Sequence, residues 1–252
     1  AILLLALLSL EYLLLLTLFL TPLSLQLSYL TGSTGFDLSL PTEPVMAFLL
    51  LTVLFRLTVT REFPKELLRH PMTWMAGLYL LWTFITALTS TIPGVSFKTL
   101  AYRLWFMAGF YLVTARLAFV ERFRKRYILA YAAGLAVVVI YFIIRVQGAG
   151  LLNQQFAHSA CYPFYKDHTS FGASMAFIIP PLTVMLFSRG SLWHRGFLAA
   201  LLLIFVAGFV LSYSRAAWVS LIAASALSLI LWTRMPVKLL SLSALLFVIV
   251  LA

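Results

Sequence analysis

The sequence predicts an all-α, polytopic membrane protein that crosses the bilayer about eight or nine times, and composition, run length and charge placement carry that reading. Of 252 residues 63% are hydrophobic and only 10% charged, with a mean hydropathy of +1.04; an average soluble domain is about half apolar and a quarter charged. The apolar runs continue for whole helix lengths, and a hydrocarbon core about 30 Å thick takes roughly 20 helical residues per crossing. A single cysteine, Cys161, excludes an internal disulfide framework. The chain opens at Ala1 and closes inside the apolar run 245–252. We read it as one helical transmembrane domain over 1–252, a piece of a longer membrane protein truncated at both ends.

Proline, glycine and charge punctuate the map. Residues 1–9 read as the stub of a span, with a polar joint at Glu11 and a second segment over 12–22; alternatively 2–25 is one helix with Glu11 buried. A loop rich in Ser, Thr and Gly occupies 28–41, and further spans fall near 43–59, 71–90, 100–118, 127–145, 169–187, 197–213, 216–233 and 237–252. The alternation in Leu23-Ser-Leu-Gln-Leu-Ser is strand-like, but an isolated strand cannot satisfy its backbone in lipid, so the segment is placed at the interface.

Basic residues orient the map. Arg56, Arg61, Lys65, Arg69, Arg116, Arg122, Arg124, Lys125, Arg126, Arg189, Arg195, Arg234 and Lys238 fall on alternate connections, which marks that side as cytoplasmic. The net charge of +11 is then mostly topology and calls for no nucleic acid. The opposite face carries Lys98, Arg103, Arg145, Lys166 and Arg215 with His158 and His168, against Asp37, Glu43 and Asp167. Cations near membrane depth are costly unless paired and often mark a substrate path, although headgroups can also satisfy them.

Four stretches hold the candidate chemistry. In Leu211-Ser-Tyr-Ser-Arg-Ala-Ala-Trp218 two spans meet with almost no loop, so Ser212 or Ser214 caps the next helix and Arg215 sits in its first turn. Positive charge is disfavoured there; free N–H groups beside a guanidinium fork make a phosphate or carboxylate receptor. The plainer reading is an arginine snorkelling beside Trp218. In Cys161-Tyr-Pro-Phe-Tyr-Lys-Asp-His-Thr-Ser-Phe-Gly-Ala173, Asp167 or Thr169 is the expected N-cap. His168 can act as acid, base or donor near neutral pH, with Lys166 beside it; a turn histidine bonded to backbone is the alternative. In Leu38-Ser-Leu-Pro-Thr-Glu-Pro44, Thr42 reads as an N-cap with Glu43 and Pro44 in the first turn. Finally, Ser96-Phe-Lys-Thr-Leu-Ala-Tyr-Arg-Leu-Trp105 puts Lys98 and Arg103 near the outer end of a helix, five apart and so not sharing a face. Arg145 ends its span and serves as an anchor or a ligand.

No glycine-rich phosphate loop, zinc signature or nucleophile turn is present, and no paired aspartates offer a divalent metal site. No cofactor is expected. No repeat of span length appears, which weighs against a transporter built from inverted repeats.

These four stretches, taken in order, resemble the O-antigen ligase and polymerase superfamily. Leu211-Ser-Tyr-Ser-Arg-Ala-Ala-Trp-Val-Ser220 is similar to its Ser-Arg motif, and Pro163-Phe-Tyr-Lys-Asp-His-Thr-Ser-Phe-Gly-Ala173 with Pro180 to a motif opening an earlier span. The 38–44 and 96–105 stretches resemble its Bacteroidetes-type branch. The resemblance implies a GT-C-like glycosyltransferase core in the bacterial inner membrane, with its active site on the periplasmic side. Such an enzyme takes a glycan from undecaprenyl diphosphate to lipid A–core or, as a polymerase, to another repeat unit, without a metal. Arg215 matches the motif arginine that holds the diphosphate, while the family's loop histidine is expected beyond Ala252. Arg215 and His168 are therefore the expected catalytic residues. Arg145, Lys166, Asp167, Arg103, Lys98 and Ser214 are the expected substrate-binding ones. A transporter or flippase for an anionic lipid or solute is the alternative from a different class; it requires charged groups in span centres.

Overall fold

The computed structural model describes residues 10–27, 39–60, 67, 69–117, 121–150, 153–188 and 191–233. Nearly all of these are helical, in the order α1 (Leu10–Leu20), α2 (Thr42–Phe55), α3 (Pro71–Leu88), α4 (Pro93–Phe106), α5 (Thr114–Leu117), α6 (Glu121–Ala149), α7 (Gln154–Ala160), α8 (His168–Phe187), α9 (Leu192–Leu211) and α10 (Arg215–Thr233). Five helical stretches are long and apolar enough to cross a membrane: Thr42–Val59, Pro71–Leu88, Arg122–Ala149, His168–Phe187 and Leu192–Leu211. The faces they leave uncovered are apolar. On α3, Trp74, Met75, Leu78, Leu81, Trp82 and Ile85 are all exposed; an apolar face of this extent suits lipid as its solvent, and with the five membrane-length helices it marks a multi-pass membrane protein. The expected spans 1–9 and 237–252 lie outside the described residues.

Two compact units divide the chain, residues 1–138 and 139–252. In the first, Leu13, Leu14, Leu49 and Val53 are buried between α1, α2 and the segment 107–113. Glu11 lies in the first turn of α1 and accepts from Arg126 Nη1 at 2.8 Å. The strand-like stretch after α1 does become a strand. Leu25–Gln26 pairs antiparallel with Ser39–Leu40, so the partner that an isolated strand lacks comes from the far side of the loop. Thr42 is not a cap. It is the first residue of α2, and its hydroxyl donates to the carbonyl of Leu20 at 3.1 Å, tying α2 to the end of α1.

The helix expected over 100–118 starts seven residues earlier, because Pro93 at the first helical position opens α4 rather than ending a loop. It continues into a π-helical stretch, Met107–Val113. There Gly109 passes so close to Leu49 of α2 that a methyl group would lie 2.6 Å from Leu49 Cδ2. A second π segment, Arg56–Thr60, extends α2.

In the second unit Phe142, Phe171, Phe205, Met175, Leu182 and Leu198 form the buried centre. Two glycines let the helices close. A methyl at Gly208 of α9 would lie 2.5 Å from Val139 Cγ1, and one at Gly172 of α8 would lie 2.9 Å from the Cβ atoms of Ser214 and Ala217. Such small-residue contacts suit helices in lipid, where packing rather than water exclusion holds them together.

In the first unit, Gly134 of α6 faces the backbone carbonyl of Phe19, where a Cβ has no room. Gly134→Ala is expected to destabilise the protein by about 1–3 kcal/mol, the usual range for overpacking. Thermal unfolding in detergent checks this; an unchanged midpoint would remove the close approach.

Candidate functional site

Helix ends position the candidate residues of residues 139–252. α8 begins at His168, and Asp167 caps it: Oδ1 accepts from the Ser170 N–H at 2.7 Å and Oδ2 from the Ser170 hydroxyl at 3.0 Å. The Ser170 backbone N–H, before any other influence, holds the Asp167 carboxyl below its ordinary range. This satisfies the first of the two cap expectations, so Asp167 is engaged in shaping the helix start. Lys166, next to it, is exposed.

α9 and α10 are joined by Ser212, Tyr213 and Ser214. Tyr213 takes a left-handed conformation, φ 51°, which reverses the chain within three residues. Around it the serines close the turn. Ser212 donates to the Phe209 carbonyl at 2.7 Å, and Ser214, fully buried, accepts from the Ala217 N–H at 3.4 Å. Ser214 is thus the cap of α10, and its hydroxyl is occupied by that task. Arg215 follows as the first helical residue, exposed and with no hydrogen bond or ion pair to any described residue.

Because Gly172 packs on Ser212, Ser214 and Ala217, the first turns of α8 and α10 lie side by side at one end of this unit. At α8 the Asp167 carboxylate already takes up the Ser170 N–H and offsets the positive end of the helix, whereas the first N–H groups of α10, beside the Arg215 guanidinium, form an anion-attracting surface.

His168 is engaged by a residue that the sequence did not single out for the site. Its ring stacks on His158 of α7, with centroids 3.8 Å apart and planes 11° from parallel. His158 Nε2 is buried without a hydrogen-bond partner. The turn through Pro163 folds α7 back on the start of α8, and the linear spacing of the two histidines carries no helical or strand period that would have signalled the pair.

Arg145 is half-buried near the end of α6. Its Nη1 donates to the carbonyls of Tyr162 at 2.7 Å and Ala160 at 3.2 Å and reaches the Tyr141 hydroxyl at 3.3 Å. A cation on the last carbonyls of α7 compensates a helix C-terminus, so Nη1 holds the loop. Nε and Nη2 have no partner among the described residues.

Lys98 and Arg103 belong to the other unit and are described separately. With α4 opening at Pro93, Lys98 lies five residues in and Arg103 ten, about 15 Å along the axis and in the last turn of α4. Arg103 Nη1 donates to Thr83 Oγ1 at 2.6 Å, and the guanidinium lies over the Tyr79 ring at 4.7 Å. It lines a groove of about 360 Å³ with Tyr79, Leu80, Phe106, Met107 and Tyr111. Lys98 Nζ sits 5.4 Å from the Tyr102 ring centre. Tyr102 in turn donates to Glu43 Oε1 at 2.5 Å, which also accepts from the Ser39 N–H at 2.6 Å. Glu43 is only 4% exposed, and its Oε2 has no partner. A carboxylate read as a helix-start residue is therefore a buried polar centre; nothing local in its sequence separates the two roles.

No three His, Cys, Asp or Glu side chains converge as a metal site among the described residues. Compared with known proteins, the chain matches no family model, no curated protein and no solved structure.

Two outcomes test this geometry. Burial pushes the Cys161 thiol up to about 11, so at pH 8 the folded protein holds about 100-fold less thiolate than an exposed cysteine. Alkylation of Cys161 should be slowed at least that much relative to the unfolded chain, and should accelerate as pH rises toward 11; equal rates would contradict its burial. Asp167→Ala should cost about 1 kcal/mol through loss of the cap. Because Asp167 is held below its ordinary range, the wild-type advantage is present at neutral pH and fades as pH falls through the acidic range. Melting curves of both proteins at pH 7 and pH 3 measure this.

Proposed function

We propose that the chain is the membrane core of a glycosyltransferase of the O-antigen ligase and polymerase kind. Its donor is a glycan on undecaprenyl diphosphate, and its acceptor is lipid A–core on the periplasmic side of the bacterial inner membrane. The observation that carries this reading is Arg215, exposed, without a hydrogen bond or ion pair to any described residue, in the first turn of α10 beside the start of α8. That is the surface a diphosphate leaving group requires.

In this reading the acceptor hydroxyl attacks the anomeric carbon of the donor sugar, the bond from that carbon to the carrier's phosphate oxygen breaks, the diphosphate leaves with the bonding electrons, and the hydroxyl's proton passes to the diphosphate or to water. Arg215 and the first N–H groups of α10 stabilise the charge that develops. Their orientation is fixed beforehand by the Ser214 cap and the Gly172 contact, so little reorganisation accompanies the reaction. His168, held flat against His158, supplies a donor or acceptor beside the phosphates. Lys166 and the free guanidinium nitrogens of Arg145 add positive potential, and no metal takes part. A polymerase differs only in its acceptor.

A second reading, a transporter or flippase of an anionic lipid, draws on Arg103, a cation whose partners among the described residues are a hydroxyl and a ring face.

The test expresses the full-length protein carrying this chain, as wild type and Arg215→Ala, in a host lacking its own ligase. Wild type should restore long-chain lipopolysaccharide. Arg215→Ala should lower transfer about 10²–10³-fold, the usual cost of one such electrostatic contact, and leave polymer on the carrier at unchanged membrane abundance. Full activity in the variant would sink the assignment. Failure of wild type in both ligase-deficient and polymerase-deficient hosts would favour the transporter reading.

A further inference from the structure

We infer that the groove beside Arg103 is a binding site for an anionic phospholipid of the surrounding bilayer, independent of the Arg215 surface and of the proposed transfer reaction. Arg103 Nη1 lies against Thr83 of α3, one of the helices long and apolar enough to cross a membrane, and a charge beside such a helix is retained only when something neutralises it. Among the described residues its partners are neutral: one hydroxyl, Thr83, and one ring face, Tyr79. The two acids of this unit whose side chains are described have other partners: Glu11 pairs with Arg126, and Glu43 accepts from Ser39 and Tyr102. Tyr102 and Arg103 are neighbours on α4, so their side chains leave the helix about 100° apart; the residue that reaches Glu43 directs the next one toward α3.

The space at the guanidinium has the shape of the missing partner. The groove is of small-ligand size, about 360 Å³, and apart from Arg103 its walls are Ala76, Leu80, Phe106, Met107 and two tyrosines. One of these, Tyr111, already spends its hydroxyl on Thr73 at 2.7 Å. The π-helical stretch begins at Met107, directly after the α4 turn that carries Arg103. Widened turns of this sort recur at functional sites. Thr83 stands five residues from the end of α3, about 7.5 Å along the axis, within the reach of an arginine that extends toward a phosphate at the membrane surface. One cation with apolar walls matches a lipid bearing one net negative charge and an acyl chain. A diphosphate, with more charge, would find no second cation in the lining.

The test uses the whole chain, purified in detergent and delipidated, then titrated with phosphatidylglycerol, phosphatidylcholine, a polyprenyl diphosphate or sodium phosphate, with bound adducts counted by native mass spectrometry. Wild type should retain phosphatidylglycerol preferentially. Arg103→Gln should weaken it about ten- to a hundredfold, as expected for a charge-assisted contact, and leave phosphatidylcholine unchanged. Ala76→Trp fills the groove but leaves the Arg103–Thr83 bond in place; it should weaken phosphatidylglycerol as well, and it carries the test if Arg103→Gln does not fold. Equal retention of phosphatidylglycerol and phosphatidylcholine by wild type, or undiminished phosphatidylglycerol in Ala76→Trp, would overturn the site. Binding of polyprenyl diphosphate, or of sodium phosphate alone, that is tighter than that of phosphatidylglycerol and is lost in Ala76→Trp would overturn the phospholipid as its occupant. The readout is adduct mass, so it stands or falls apart from any measurement of glycan transfer.

Discussion

In lipid no water is available to the backbone, and every peptide group must find its partner inside the protein. Most features of this structure follow from how that requirement is met where helices stop. Along the helices it is automatic, and even the threonines join in: Thr17, Thr52, Thr83 and Thr183 each turn their hydroxyl back to the carbonyl four residues earlier. Such bonds hide a polar atom within the helix itself. At the ends, side chains take over. Asp167, Ser191, Ser214, Asn153 and His70 each receive a backbone N–H at the start of a helix, and Arg145 collects carbonyls at the end of another. Where two starts come together, at Gly172 and Ala217, more N–H groups are present than caps to occupy them. The anion-seeking surface is the remainder left by that accounting.

The arginines show a graded series of the same physics. Arg126 is neutralised by an acid, Arg145 by carbonyl dipoles, Arg103 by a hydroxyl and a ring, and Arg215 by nothing among the described residues. Binding capacity rises along that series, because a charge already paired has little left to offer a ligand. Two arginines that look alike in a sequence are thus chemically different groups.

Much of the helical path was legible. Length and hydropathy alone placed the stretches near 43–59, 71–90, 169–187 and 197–213 to within a few residues, because in lipid an apolar run has few alternatives to a helix. The caps at Asp167 and Ser214 were legible for a similar reason, since short acceptors directly before an apolar run have a local job. What escaped the sequence was non-local. The Leu25–Gln26 strand needed Ser39–Leu40, beyond a loop; the His158 stack on His168 needed the reversal through Pro163; and the carbonyls that Arg145 gathers belong to a neighbouring helix and turn. The start of α4 escaped as well: it opens at Pro93, seven residues before the run expected from 100, since proline begins a helix with the same stiffness with which it ends one.

The pair between Glu11 and Arg126 also sets a clock. The two residues are 115 positions apart, and a chain grows at about 5–20 residues per second. Glu11 therefore emerges roughly 6 to 23 seconds before its partner exists. During that interval α1 has a carboxylate in its first turn and no counter-charge from α6. It must wait at the water boundary, keep a proton or borrow another cation. The first helix is consequently settled in its final place only after the sixth has been made, and the order of synthesis is not the order of assembly.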